Sequence, residues 1–198
     1  MKIAVITDIH GNIDALNKAL ELIDSLDVDK TICLGDIIGK GTDDISCLNA
    51  IINRGIETVS GNWEAYINRG IENFRMDIKD FDSLSVTKDS LTSDQLIWIQ
   101  NLPFELVVET SGKRILFMHY IIKNLNDSYP YYSLKTLENG DFQRLIKDYD
   151  YDYMFFGHRH YERYIDNAVI VPSLGLEKHQ FMIISINDIS INTEIYNV

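Results

Sequence analysis

The chain has 198 residues, 45% of them hydrophobic and 24% charged, and its 18 basic and 30 acidic side chains give a formal net charge of −12. Three prolines and eleven glycines exclude a collagen-like or disordered polymer, and the length suits one domain with an ample core. The acidic balance argues against a general binder of nucleic-acid backbones, although a local anion site remains compatible with it.

The first strand is expected at Ile3–Ile6, a continuously apolar run of the kind buried on both faces. After His10-Gly11-Asn12, apolar residues at Ile13, Leu16, Leu20, Ile23 and Leu26 alternate with polar ones at helical spacing. Thr31–Leu34 predicts a second strand. Asp43 or Asp44 then caps a helix carrying Ile45, Leu48 and Ile52, which stops near Arg54-Gly55. Ile56–Val59 predicts a third strand, and this β-α-β-α-β order implies a parallel sheet with right-handed crossovers. Residues 68–91 are polar and weakly periodic, and they resist assignment. Leu91-Thr92-Ser93-Asp94 opens a short helix through Ile99, ended by Pro103. Strands are expected at Glu105–Val108, Arg114–His119, Tyr153–Phe156, Val169–Val171 and Phe181–Ile186, with a helix over Ser133–Asp148. The alternation of Ile189, Ile191, Thr193 and Ile195 predicts a half-exposed edge strand. The expected fold class is a layered α/β protein with two sheets face to face. The two cysteines, Cys33 and Cys47, read as reduced, partly buried thiols. No apolar run suits a signal peptide or the roughly 20 residues of a membrane span, so the expectation is a soluble cytoplasmic protein without a membrane partner.

Unusual polar residues collect where these strands end. The first strand ends in Asp8-Ile9-His10, the second in Gly35-Asp36 and the third in Ser60-Gly61-Asn62. Two later strands deliver His119 and Gly157-His158-Arg159-His160. Ligands of open α/β sheets bind beyond the carboxyl ends of the strands, so these five ends can converge. Taken singly, each residue has an ordinary explanation: a helix cap for Asp8 or Asp36, a turn for Asn62, a satisfied core histidine for His119. Five strand ends acquiring ligand-type residues together is harder to explain that way. Two aspartates, one asparagine and four histidines form a mixed oxygen and nitrogen set. Without thiolate it does not suit a structural zinc site, and it is too rich in imidazole for calcium or magnesium alone. Seven donors with one shared carboxylate suit two transition-metal ions.

The ordered elements Asp8-Ile9-His10, Gly35-Asp36, Gly61-Asn62-Trp63-Glu64, His119 and Gly157-His158-Arg159-His160 resemble the calcineurin-like metallophosphoesterases, and within them the small bacterial and archaeal phosphodiesterase branch. The resemblance implies a four-layer α-β-β-α sandwich of two mixed sheets flanked by helices, in a single domain over residues 1–198. It implies that Asp8, His10, Asp36 and His160 hold one divalent ion, while Asp36, Asn62, His119 and His158 hold the other, with Asp36 bridging. Manganese, iron, zinc, nickel or cobalt fits such a set. Catalysis would run through Asp36, Asn62 and His119 by metal and phosphate positioning, with a metal-bridging hydroxide as nucleophile. The expected substrate is a small phosphodiester or nucleotide-type ester. Nucleic acid is not expected, and an oligomer is left open. The alternative is a catalytically weak protein with a binding or regulatory role, since a retromer scaffold subunit resembles the same family.

Three positions depart from the family pattern. Trp63 stands where many relatives have a histidine that protonates the leaving oxygen, and indole cannot act as a general acid. Such a loss typically costs about 10²–10⁴ in rate, most for leaving groups of high pKa. Three readings follow: good leaving groups, a proton from another residue, or poor catalysis. Glu64 is then left without an imidazole to orient. Tyr120 follows His119 where many relatives have glycine, and Lys40 stands where relatives often have tyrosine. Arg159 either reaches a phosphate or faces solvent, and Tyr129, Tyr131 and Tyr132 either stack a base or pad a loop. Gly39-Lys40-Gly41-Thr42 imitates a phosphate-binding P-loop, but Leu34 and Gly41 occupy positions that the motif reserves for glycine and Ser/Thr. His179 lies outside every motif.

Overall fold

The computed structural model describes residues 1–73, 76–121 and 146–198. Their order is β1 (Lys2–Ile6), α1 (Ile13–Ser25), β2 (Lys30–Cys33), α2 (Asp44–Asn53), β3 (Glu57–Thr58), α3 (Asn62–Arg69), a 3₁₀ turn (Ile71–Asn73), α4 (Ile78–Ser90) and α5 (Ser93–Gln100). There follow β4 (Glu105–Thr110), β5 (Lys113–Met118), β6 (Tyr153–Phe156), β7 (Arg163–Ile165), β8 (Ala168–Ile170), β9 (Gln180–Ile186) and β10 (Ile191–Asn197). Two mixed five-stranded sheets result, ordered β10-β9-β1-β2-β3 and β4-β5-β6-β8-β7.

In the first sheet β1, β2 and β3 run parallel, as the βαβ pattern requires, and β9 and β10 extend it antiparallel. In the second, β5, β6 and β8 run parallel between antiparallel β4 and β7. The two-residue side-chain period sorts each strand between two cores. Ile3 and Val5 of β1 face the inter-sheet core with Ile115, Phe117, Phe155, Met182 and Ile184, whereas Ala4 and Ile6 face α1 and α2. The rings of Phe117 and Phe155 stack there with centroids 5.3 Å apart. Leu116, Met118, Met154 and Phe156 turn to the outer face of the second sheet, where Ile146, Tyr149 and Tyr151 pack on them. Continuous apolar runs are therefore explained: both faces of these strands are covered.

Sequence periodicity identified α1, α2 and α5; the caps of α1 and α5 are chemically explicit, whereas Asp43, at the N-cap of α2, makes no side-chain capping hydrogen bond and Asp44 accepts the Gly39 N–H instead. Asn12 Oδ1 accepts the Ala15 N–H at 3.1 Å, and Thr92 and Gln95 form a reciprocal capping box. It missed α3, because Asn62 read as a turn, and α4, because that helix buries little beyond Leu84 and Thr87 while exposing Ile78 and Val86. It also missed β7, a three-residue edge strand with two exposed residues. The third strand is shorter than expected, only Glu57–Thr58, and Ile189 lies in the turn before β10. The helix expected over Ser133–Asp148, apart from its last three residues, and Tyr129, Tyr131 and Tyr132 lie outside the described residues.

Candidate metal centre

All seven residues singled out by the sequence come to one edge of the sandwich, delivered by both sheets. Asp8 and His10 follow β1, Asp36 follows β2 and Asn62 follows β3. His119 follows β5, and His158 and His160 follow β6. The loops are pinned to one another through backbone hydrogen bonds: Asp8 N–H to Gly35 C=O (3.0 Å), His10 N–H to Asp36 C=O (3.0 Å) and Gly157 N–H to His119 C=O (3.1 Å). The glycines of the motifs explain themselves. A side chain on Gly35 would strike the backbone of Gly61, and one on Gly157 would strike the hydroxyl of Thr7 and the ring of His119. Five of the seven donor residues, Asp8, His10, Asp36, His158 and His160, have left-handed backbones with φ between 48° and 70°. Side chains tolerate that region poorly, and strain of this kind concentrates at functional sites.

The donors form two groups, Asp8-His10-His160 and Asp36-His119-His158, each with its ligand-type atoms within 4.8 Å of one another. His160 Nε2 lies 3.2 Å from Asp8 Oδ1 and 3.4 Å from His10 Nε2. His119 Nε2 lies 3.2 Å from Asp36 Oδ2, which is itself 3.9 Å from His10 Nε2. Asp36 thus touches both groups. Asn62 joins the second, with Oδ1 2.8 Å from His158 Nδ1.

Several donors are already oriented by their surroundings. His119 Nδ1–H donates to the Leu34 carbonyl at 2.7 Å, which leaves Nε2 as the free ligand atom. Asp8 Oδ2 accepts from the Thr7 hydroxyl (2.8 Å) and the His158 N–H (3.0 Å), which leaves Oδ1 facing the cluster. Among the described residues neither Asp8 Oδ1 nor His119 Nε2, both buried, has a hydrogen-bond partner. Such orphaned atoms are costly to bury, and here they face the same space. The donor set fits divalent ions of borderline hardness at this place.

The charges are arranged accordingly. Burial would raise the Asp8 carboxyl, but His119, His160 and His10 around it hold it well below the usual carboxylate range. Asp36 is held low in the same way by His119 and His10. Burial opposes a proton on His119, yet Asp36 and Asp8 outweigh it and lift that imidazole to about 9. His10 and His158 are pushed down to about 4 by burial, which makes them neutral donors.

Glu64 proves to be the main residue whose part the sequence did not disclose. It is fully buried and accepts four backbone N–H groups: Ile37 (2.8 Å) and Ile38 (3.4 Å) on Oε1, Asp36 (2.9 Å) and Gly61 (2.9 Å) on Oε2. It fastens the Asp36 loop to the start of α3. Burial and the nearby Asp36 charge push its carboxyl up to about 7, against the pull of those donors. A sixth strand end also contributes. After β8, the Ser173 hydroxyl donates to the Asp8 carbonyl (2.8 Å) and the Gly175 N–H does the same (2.9 Å). The strand-end rule that found the other five loops applies equally to Val171-Pro172-Ser173.

Trp63 is only 4% exposed. Its indole lies against Gly39, where any side chain would strike the ring, and its centroid is 5.9 Å from that of His10 in an edge-on arrangement. The ring is therefore a wall of the site and part of the helix-side core. His179 sits outside the cluster, its Nδ1 3.1 Å from the Leu174 carbonyl.

The sequence profile of the calcineurin-like phosphoesterase superfamily domain matches residues 1–174. The uncharacterized protein MJ0912 of Methanocaldococcus jannaschii is 33% identical over 119 residues, 59% of this chain and 48% of that protein, so the match spans about half of that relative's length. Two crystal structures share the fold. The hypothetical protein PH1004 of Pyrococcus horikoshii OT3 matches with a TM-score of 0.77 and 19% identity over 100% of this chain and 87% of its own. A metallophosphoesterase from Sphaerobacter thermophilus matches with a TM-score of 0.72 and 18% identity over 100% of this chain and 89% of its own.

Proposed function

The chain belongs to the calcineurin-like phosphoesterase superfamily, and from that membership we propose that it is a metal-dependent phosphoesterase with a two-ion centre, acting on phosphodiester or nucleotide-type substrates. The observation that carries this reading is the pair of three-residue donor groups with Asp36 Oδ2 between them. In it, Asp8, His10, Asp36 and His160 hold one ion and Asp36, Asn62, His119 and His158 the other. Bound divalent ions would supply Lewis acidity and a water of lowered pKa. The chain's own residues do the rest. Leu34 fixes the ring of His119 through its carbonyl, Asn62 orients His158, and Glu64 holds the Asp36 loop in place. Trp63, packed on Gly39, stands edge-on to the ring of His10.

Because Trp63 cannot protonate a leaving oxygen, the favoured substrates are those whose leaving group departs unaided: phosphodiesters with aryl groups, or phosphates linked to phosphate. The working unit is residues 1–198 as one domain, and its substrate is a small phosphate ester. Manganese, nickel or cobalt is the expected activator. Both cysteines are buried and unpaired, in keeping with a reducing cytoplasm. Among the described residues no helix is long and apolar enough to cross a membrane.

A second reading, a weak catalyst with a binding or regulatory role, draws on the same Trp63. Metal analysis combined with hydrolysis of bis-aryl phosphate, aryl and alkyl monophosphates, cyclic nucleotide and dinucleoside polyphosphate separates the two. Metal uptake with aryl or diester substrates preferred supports the enzyme. Equal rates on alkyl monoesters would remove the leaving-group argument, and metal uptake without turnover of any substrate would favour the second reading.

A further inference from the structure

Two cationic side chains stand on loops that carry donor residues, Arg159 between His158 and His160 and Lys40 four residues after Asp36, and the structure treats them differently. The Arg159 guanidinium lies 5.3 Å over the Tyr161 ring and donates from Nε and an Nη to the Tyr161 hydroxyl at 3.2 and 2.9 Å. Lys40 is exposed, and among the described residues its ammonium makes neither a hydrogen bond nor an ion pair. Its backbone, in contrast, is tightly fixed. Lys40 has φ 68°, and the Gly39 N–H before it donates to Asp44 Oδ1 at 2.9 Å. Gly39 lies on the indole of Trp63, and Gly41 lies against the carbonyl of His10, with no room for a side chain at either position. These contacts explain why glycines bracket a lysine here although the P-loop pattern fails. The loop wraps His10, whose Nδ1 is 3.3 Å from the Ile38 carbonyl.

We infer that Lys40 is a substrate-recognition residue that binds a second phosphoryl group, joined by a bridging oxygen to the one that reacts, and so selects pyrophosphate-linked substrates. This rests on the phosphoesterase reading above. Asp8, His10, Asp36 and His119 are at most 1% exposed, so a reacting phosphoryl group engages the floor of the site. Its neighbour then lies toward solvent, as does the side chain of Lys40, one residue from the contact of Gly41 with His10. A compact ammonium is a point-charge phosphate binder that needs no fixed fork geometry. On a chain of net charge −12, an exposed cation on the Asp36 loop also offsets the repulsion that a polyanion meets on approach.

The choice of substrate agrees with Trp63. Water adds its oxygen to the reacting phosphorus, and the bond from that phosphorus to the bridging oxygen breaks. The bridging oxygen leaves with the electron pair on the second phosphate. The protons of the water pass to solvent and to the product phosphates. A phosphate leaving group needs no general acid, and Lys40 neutralises the charge that develops on it.

The test uses manganese-loaded protein at fixed free manganese and measures affinity for orthophosphate and for imidodiphosphate, a non-hydrolysable pyrophosphate analogue, in Lys40→Met, Lys40→Arg and the wild type. The expected result is that the preference of the wild type for imidodiphosphate over orthophosphate falls about tenfold in Lys40→Met and largely returns in Lys40→Arg. Equal weakening of both ligands, or no change in their ratio, would overturn the role of Lys40 and leave the metal centre standing. A wild-type protein that takes up no manganese, or that binds neither ligand, would overturn the phosphoesterase reading and this inference with it.

Discussion

Ile115, Phe117 and His119 occupy alternate positions along β5 and its exit, all at most 1% exposed, yet they belong to regions governed by opposite rules. Ile115 and Phe117 lie in the inter-sheet core, where removal of apolar surface from water stabilises the fold by roughly 25 cal/mol per Å². His119, two residues on, is buried among Asp8, Asp36 and His158, where burial stabilises only if charges and hydrogen bonds answer it. The core tolerates its burial because its side chains want nothing but one another. The cluster keeps two buried atoms without hydrogen-bond partners among the described residues, a state that native structures seldom retain without a use. One row of side chains thus passes from the part that holds the fold together to the part proposed to act.

Substitutions on either side of that boundary should therefore separate function from stability. The largest effect is expected at Asp36→Asn, which replaces the carboxylate that touches both donor groups. Hydrolysis should fall by about 10³ or more, and metal content per folded chain should drop, in spectrometric metal analysis beside a circular-dichroism check of folding. Unchanged activity would break the comparison at its polar end. Phe117→Ala tests the apolar end. It should cost about 3–5 kcal/mol in denaturant unfolding while the metal content of the folded fraction stays at the wild-type value. A variant that loses metal in proportion to stability would show that the two regions are one.

Glu64→Ala falls between the regions, because its carboxylate serves the backbone of the Asp36 loop and no side chain of the core. An outer partner of a metal ligand typically contributes 10–100-fold in affinity, so manganese binding should weaken by about that factor. Four N–H groups also lose their acceptor, and unfolding measurements should register about 1–3 kcal/mol. A loss of stability with no loss of metal affinity would place Glu64 with the core.

The smallest effect concerns protons. Burial works against charge on His119, but Asp36 and Asp8 raise its folded-state pKa to about 9, above the ordinary 6.5. In the metal-free protein this pairing contributes stability that is fully present below pH 6.5 and is lost as the pH rises through about 9. A metal ion at Nε2 must displace the same proton. Uptake near pH 7.5 should therefore release about one proton from this residue, and apparent affinity should rise with pH. His10 and His158, pushed down to about 4, are already neutral there and release none. Calorimetry in buffers of differing ionisation enthalpy counts the proton, and a buffer-independent heat would contradict the assignment.

The sequence by itself determined the apolar strands and the α/β class, and it singled out the seven residues proposed as metal donors. These signals are local: a four-residue apolar run followed by Asp-x-His is visible without knowing what lies beside it. The tertiary structure decided the rest, because its causes join residues far apart in the chain. The meeting of His10 with His160 spans 150 positions and needs both sheets packed face to face. The work of Glu64 is invisible in its own neighbourhood, since three of its hydrogen bonds go to backbone N–H groups 26 to 28 residues earlier, which any residue type but proline could supply. Trp63 read as a missing acid and became a wall only once Gly39 was seen lying on its ring. Residue types announce which atoms a chain can offer, and packing decides which of those atoms are left to face one another.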